Sequence, residues 1–277
     1  MKVLRRLLKN VRLTLKGPEL KFKDIKDIMS KALEGQVAII TGAARNIGKA
    51  TALRLAADGA AIVVNAVQDR DAAESVASDI NEAGGRAIAH IANITDETAV
   101  NGMIDAAIEA FGRIDILVSN ASIRGQVPVT EMTLEQWHAV LAVPLDGAFL
   151  CAKACIPHME KAGGGRIITL GGISAYIATP NRAHVLAAKA GLVGLTRGLA
   201  AELAPLGITC NVVSPGHIDT ERPASAGERP PLKNPPPLNR LGKPEEIAGM
   251  IHYLCLPESA YTTGQTLHVN GGMYMGV

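Results

Sequence analysis

From Gln36 onward, short continuous apolar runs alternate with longer segments of helical period. Val37-Ala38-Ile39-Ile40 is apolar at every position, the pattern of a strand buried on both faces. The spacing then predicts a helix over 46–58, a strand over 61–64, a helix over 72–82 stopped by Gly84-Gly85, a strand over 87–91 and a helix over 97–111. A fourth strand over 114–118 precedes one long helical region over 134–161, which contains Pro144 and Pro157. A strand over 166–170, a helix over 183–204, and strands over 209–213 and 265–269 complete the series. This alternation predicts an α/β fold, a single doubly wound parallel sheet with helices on both faces. No internal repeat of solenoid period is present.

Two stretches depart from the rhythm. In residues 1–34, Val3, Leu4, Leu7, Leu8, Val11 and Leu15 fall at helical spacing with Lys and Arg between them. Gly17-Pro18 breaks that pattern, and Phe22, Ile25, Ile28, Met29 and Leu33 resume it. The segment predicts an N-terminal helical extension ahead of a domain over 35–277. Packing on the body or on a neighbouring subunit is preferred to the competing reading, peripheral contact of residues 1–16 with an anionic membrane. Residues 222–240 hold Pro223, Pro230, Pro231, Pro235, Pro236 and Pro237 and exclude regular structure. In this architecture such an insertion reads as a lid over the ligand crevice.

Composition narrows the function classes. The chain has 277 residues, 48% of them apolar but only 3% aromatic, so Ala, Val, Ile and Leu build the core. Its net charge of +2 excludes a dedicated nucleic-acid binder. Residues 1–34 carry ten Lys/Arg against four Asp/Glu, a net of +6, which leaves −4 for the remainder. Cys151, Cys155, Cys210 and Cys255 form no metal-ligand spacing, so no metal site is expected, and they suit a reducing cytoplasm. No apolar run of about 18 residues and no secretory signal is read from the sequence.

Chemistry enters at Thr41-Gly42-Ala43-Ala44-Arg45-Asn46-Ile47-Gly48, directly after the first strand and opening a helix. Glycines there permit a tight turn and close phosphate approach, and the helix N-terminus favours an anion. The pattern resembles the Thr-Gly-x-x-x-Gly-x-Gly turn of the short-chain dehydrogenase/reductase family, a Rossmann-type fold, with Asn46 in place of the middle glycine. Asn tolerates left-handed backbone. Ser119-Asn120-Ala121-Ser122 resembles that family's Asn-Asn-Ala-Gly segment, and Asn211 to Thr220 resembles its nicotinamide-flanking segment. Arg240 to Glu246, Tyr261 to Gln265 and Val269 to Gly272 resemble its 3-oxoacyl-carrier-protein reductase-like branch most. The resemblance covers about residues 35–275. It implies cofactor contacts from Gly42, Arg45, Asn46, Ile47, Gly48, Asn65, Asn93, Ile94, Asn120, Ala121, Lys189, Pro215, Gly216, Ile218 and Thr220. The second strand is followed by Asn65-Ala66, with no acid before Asp69 to accept the ribose hydroxyls of NAD. Arg45 suits a 2′-phosphate, so NADP(H) is expected over NAD(H); the competing reading of Arg45 is a solvated surface residue.

The resemblance also implies a catalytic set of tyrosine, lysine, serine and asparagine. Lys189 is present in Ala183-His184-Val185-Leu186-Ala187-Ala188-Lys189. Val185 stands at the tyrosine position, Gly172 at the serine position and Pro144 where the asparagine is expected. Losing a general acid costs about 10²–10⁴ in rate. Ser174 and Tyr176, after the fifth strand, are the replacement groups within reach of the crevice; for Tyr176 the alternative is packing under the lid. Arg182 could stabilise an oxyanion but could not readily give up a proton. Three functions remain open: a divergent NADP(H)-dependent oxidoreductase acting on a small carbonyl or acyl-type substrate, a non-catalytic subunit, or a non-redox enzyme on the same scaffold. The family's assembly habit implies a homotetramer, or a hetero-oligomer with an active homologue.

Overall fold

The computed structural model describes residues 31–221 and 235–276. The expectations for residues 1–30, and for most of the 222–240 lid, lie outside the described residues. The chain divides into Met1–Lys31 and Ala32–Val277. The body begins slightly before the expected residue 35, because Leu33 is fully buried and its N–H donates to Asp58 O at 3.0 Å.

The body is one seven-stranded parallel sheet of β1 (Val37–Ile40), β2 (Ala61–Ala66), β3 (Arg86–Ile91), β4 (Ile116–Ser119), β5 (Gly165–Leu170), β6 (Ile208–Pro215) and β7 (Thr266–Val269). Their spatial order is β3-β2-β1-β4-β5-β6-β7. The order reverses between β1 and β4, so the crevice at their carboxyl ends is the expected place for a ligand. The helices are α1 (Asn46–Ala57), α2 (Arg70–Glu82), α3 (Glu97–Phe111), α4 (Leu134–Ala142), α5 (Asp146–Ala162), α6 (Ala183–Leu203) and α7 (Pro244–Cys255).

Alternate strand residues feed two cores. Ile40 and Val64 pack with Leu55 of α1, Ile80 of α2 and Ile251 of α7. Ile39 and Val63 pack on the opposite face with Met103 of α3, Cys151 and Met159 of α5 and Leu203 of α6. Both faces of β1 are therefore covered, which is why its sequence is apolar at every position. Local signals set the helix ends. Asp96 caps α3 by accepting from Thr98 N and Ala99 N, and Gly112 ends it at φ 80°. Thr133 and Gln136 form a capping box at α4.

Four elements differ most from the sequence expectation. The single helix over 134–161 is two helices, broken at 143–145 where Pro144 is buried. The strand after α1 continues through Asn65 and Ala66, and the fourth strand starts at Ile116, after Asp115. Helix α7 falls in a region that the sequence reading treats only as motif, although Pro244 at its first position and Ile247, Ile251 and Leu254 mark it. The stretch Leu134–Ala162 also passes a length-and-hydropathy test for a membrane span, against the expectation that no run does. Here it is the α4–α5 pair, with Cys151, Cys155 and Met159 buried in the core.

Candidate functional site

The crevice at the β1/β4 reversal is built by backbone. Thr41 Oγ1 accepts from Asn120 N (3.0 Å) and Ala121 N (3.1 Å), and Asn120 Nδ2 donates to Thr41 O (2.9 Å) and Gly42 O (3.0 Å). These bonds lock the glycine turn to the end of β4. Gly42 has φ 63° and Asn46 φ 53°, so asparagine occupies the left-handed position where the family pattern has glycine. A Cβ on Gly48 would lie 2.8 Å from Ala43 Cα and 2.8 Å from Asn120 Nδ2 and would collide with Gly42 O. Helix α1 starts at this turn with no side-chain cap on its N-terminus and no acid in its first turn. The turn therefore fits a phosphate: a positive dipole end with no side-chain cap and no acid beside it.

The other cofactor expectations separate into contacts and supports. Arg45 is exposed at the N-cap of α1. Ile47 is buried. Asn65 is 1% exposed, and its amide donates to Ala66 O, His90 O and Ala92 O while Oδ1 accepts from Gly42 N. It works as a clamp between β2, β3 and the turn, holding the cradle from below. Asp69, the first acid after β2, accepts from Ala72 N to cap α2. Asn93 is exposed and folds its side chain onto Thr95 N. Ile94 is buried, and Gly147 of α5 leaves the space that it fills.

At the far side of the crevice, Pro215 ends β6, paired with Val269 of β7. A Cβ on Gly216 would stand 2.7 Å from Asn270 Cα, so glycine lets the two strand ends approach. Ile218 bridges to Gly242, Thr220 is half-buried, and Glu221 N donates to Asn46 Oδ1 at 2.8 Å. A small cleft of about 100 Å³ lies here, lined by His217, Ile218, Leu238, Asn270 and neighbours. Lys189 does not line it.

Helix α6 carries Lys189 and, one turn earlier, Val185. Lys189 is 8% exposed, and its Nζ donates to Leu170 O at the end of β5 (2.6 Å). Burial, with the positive charge of Arg124 nearby, pulls its ammonium from an ordinary 10.5 down to about 7. Val185 is 3% exposed. Gly172 has φ 155°, outside the range that residues with side chains favour, yet nothing lies within 4 Å of a Cβ placed there. Ser174 sits in the short 3₁₀ turn Ile173–Ala175, which packs against α6.

Tyr176, expected as a replacement acid, stands at the edge of β7. Its hydroxyl donates to Thr266 Oγ1 (3.2 Å), and its ring stacks on Tyr274 and meets His268 edge-on, each at 4.7 Å. The turn after β5 aims it at these residues of β7 and the chain beyond it.

The sequence reading missed Arg124, which stands in the loop after β4. That loop docks on the start of α6: Val127 N donates to Asn181 O (2.8 Å), and a Cβ on Gly125 would lie 2.9 Å from His184 Nε2. Arg182 caps α6 in sequence position only; burial first, and Arg124 second, lower its guanidinium. No signal in the residues around Arg124 pointed to this meeting, because loop docking places it. Among the described residues no cluster of His, Cys, Asp and Glu could hold a metal ion.

The chain has clear relatives. The profile of a family described as Enoyl-(Acyl carrier protein) reductase matches residues 42–274. The 3-oxoacyl-[acyl-carrier-protein] reductase of Synechocystis sp. is 45% identical over 245 residues, 88% of this chain and 99% of the relative. The 3-oxoacyl-[acyl-carrier-protein] reductase FabG of Escherichia coli is 40% identical over 244 residues, 87% of this chain and 98% of its own. Among solved structures, a 7 alpha-hydroxysteroid dehydrogenase complexed with NADH and 7-oxo glycochenodeoxycholic acid is similar with a TM-score of 0.82 at 34% identity, over 88% of this chain and 96% of that one.

Proposed function

Because this chain belongs to the short-chain dehydrogenase/reductase family of nicotinamide-dependent oxidoreductases, we propose that it reduces the 3-oxo carbonyl of an acyl-type substrate with NADPH, and that Lys189 is its proton donor. The observation that carries this is the state of Lys189: buried, held by Leu170 O, and shifted to about 7. A group poised near the working pH is the effective acid. An ammonium has three donors, so the bond to Leu170 O leaves two for a substrate oxygen.

The cofactor, when bound, supplies hydride to the carbonyl carbon. Gly42, Asn46 and Gly48 would hold its phosphates at the start of α1, with Asn120 fixing the turn and Asn65 supporting it. Arg45 would take a 2′-phosphate; the acid that would favour NAD is absent from the end of β2, and Asp69 is engaged at α2. Lys189 Nζ gives a proton to the carbonyl oxygen and becomes a neutral amine, which solvent reprotonates. Ser174 orients the carbonyl. Val185, Gly172 and Pro144 leave the usual tyrosine, serine and asparagine positions empty of hydrogen-bonding side chains.

Those three positions equally motivate the competing reading, a non-catalytic subunit beside an active homologue. Titration of the full chain with NADPH, followed by turnover of S-acetoacetyl-N-acetylcysteamine and of acetoacetate, separates the two. Binding with turnover of either compound supports the proposal. Binding with turnover of neither at any pH leaves the subunit reading, and no binding overturns the oxidoreductase reading.

A further inference from the structure

Three cationic side chains converge where the loop after β4 docks on the first turns of α6. Arg124 comes from that loop, and Arg182 and Lys189 come from the start and second turn of α6. Val127 and Gly125 fix the approach through Asn181 and His184. Arg124 is exposed, Arg182 half-buried and Lys189 buried, so the positive charge runs from the surface inward. Burial first, and the charge of Arg124 second, lower both deeper cations, in keeping with the docking of the Arg124 loop on α6. Like charges gathered in one cleft oppose folding unless an anion joins them.

The anion does not come from the described protein. The ion pairs among the described residues join other partners, and none takes Arg124, Arg182 or Lys189. Two polar atoms at this place, Arg182 Nε and His184 Nδ1, are buried with no hydrogen-bond partner, and the His184 side chain is 1% exposed. Helix α6, 21 residues long, begins here with no acid in its first turn and no side-chain cap. An orphaned guanidinium nitrogen, an uncapped helix end and two further cations make one built anion site.

We propose that the substrate carries its own carboxylate, a free 3-oxo acid rather than a thioester, held by Arg124 and Arg182 while Lys189 faces the neighbouring carbonyl. This rests on reading the cleft over Lys189 as the reaction site. Depth favours a carboxylate two bonds from the reacting carbon over the phosphate of a carrier arm: the unpartnered nitrogen belongs to Arg182, on the helix that bears Lys189, not to a residue of the outer rim. Arg182 and Arg124 bind the oxygens as charge-assisted donors, so the carbonyl is positioned without the serine and asparagine that the site lacks.

The test is calorimetric titration of the full chain, with and without NADP⁺, using acetoacetate and methyl acetoacetate as a matched pair. Acetoacetate is expected to bind roughly 10–100-fold more tightly than its ester, the range for hydrogen bonds to a charged group. R124Q and R182Q should each erase most of that preference; R182K, which keeps the charge, retains part of it and serves if R182Q fails to fold. Equal binding of acid and ester, or a preference that survives both glutamine variants, overturns the proposal. So does a preference for S-acetoacetyl-phosphopantetheine over S-acetoacetyl-pantetheine with none for acetoacetate over its ester, which would assign the cations to a carrier phosphate. NADPH titration and thioester turnover, read separately, report on the oxidoreductase reading. Acid preference without NADPH binding keeps the anion site and removes that reading, whereas thioester turnover without acid preference does the reverse.

Discussion

Lys189 ties catalysis to stability at the scale of one residue. Its folded value of about 7 lies below the ordinary 10.5, so between these the unfolded chain holds more protons than the folded one. Stability therefore rises as pH goes from about 7 toward 10.5. Thermal melts should show an increasing Tm across that window, and K189M should flatten it; an unchanged slope in K189M would assign the effect elsewhere. Arg45 is tested by affinity. R45A should weaken NADPH by roughly tenfold, the scale of one exposed charge-assisted bond, while leaving NADH nearly unchanged; equal losses for both would make Arg45 a plain surface residue. Gly172 bears on whether a single substitution could restore the usual serine. Space is open at its Cβ, but φ 155° strains any side chain there. At this scale the sequence made Lys189, Val185 and Asn46 legible, because each has a fixed place in a motif. It did not reveal that Tyr176 turns to Thr266 or that Asn65 is a buried clamp. Both depend on β7 and β3, strands distant in sequence.

At the scale of elements, β1 and β4 set the crevice, and Asp115 pins them. Its carboxylate accepts from Val37 N (2.9 Å) and from Arg113 Nε (2.9 Å) and Nη2 (2.6 Å), and it is 7% exposed. D115N removes the charge and leaves part of this network unmatched, so a loss of about 1–3 kcal/mol is expected in urea unfolding. A loss under about 0.5 kcal/mol would reduce the pair to a surface contact. Periodicity placed every strand and most helices to within a few residues, since both faces of the sheet are buried and the strands read as solid apolar runs. It failed at Pro144, where apolar residues on both sides continued the helical pattern through a break. It also passed over α7, whose short amphipathic run follows a proline-crowded stretch.

For the whole molecule, α4 and α5 expose Leu134 (64%) and Phe149 (48%), β7 is the outermost described strand, and Tyr261 and Met275 are exposed. Surfaces of this kind suit self-association. Light scattering of the purified full chain should report a homotetramer, and F149E should reduce it; a monomer that becomes larger only with an active homologue would instead support a mixed oligomer. The fold was legible from periodicity, and the glycine turn because its residues are contiguous in sequence. The cationic cleft was not, because it forms only when the loop after β4 reaches α6. The central claim is that a lysine does the work of the usual tyrosine, and the pH dependence of single-turnover reduction at saturating NADPH tests it most directly. The account predicts a rate that falls as pH rises through about 7, as Lys189 loses its proton. It also predicts that K189R, which keeps the charge but not the ready proton, retains NADPH binding and loses about 10²–10⁴ in rate. A rate that is flat across that range, or undiminished in K189R, would contradict it.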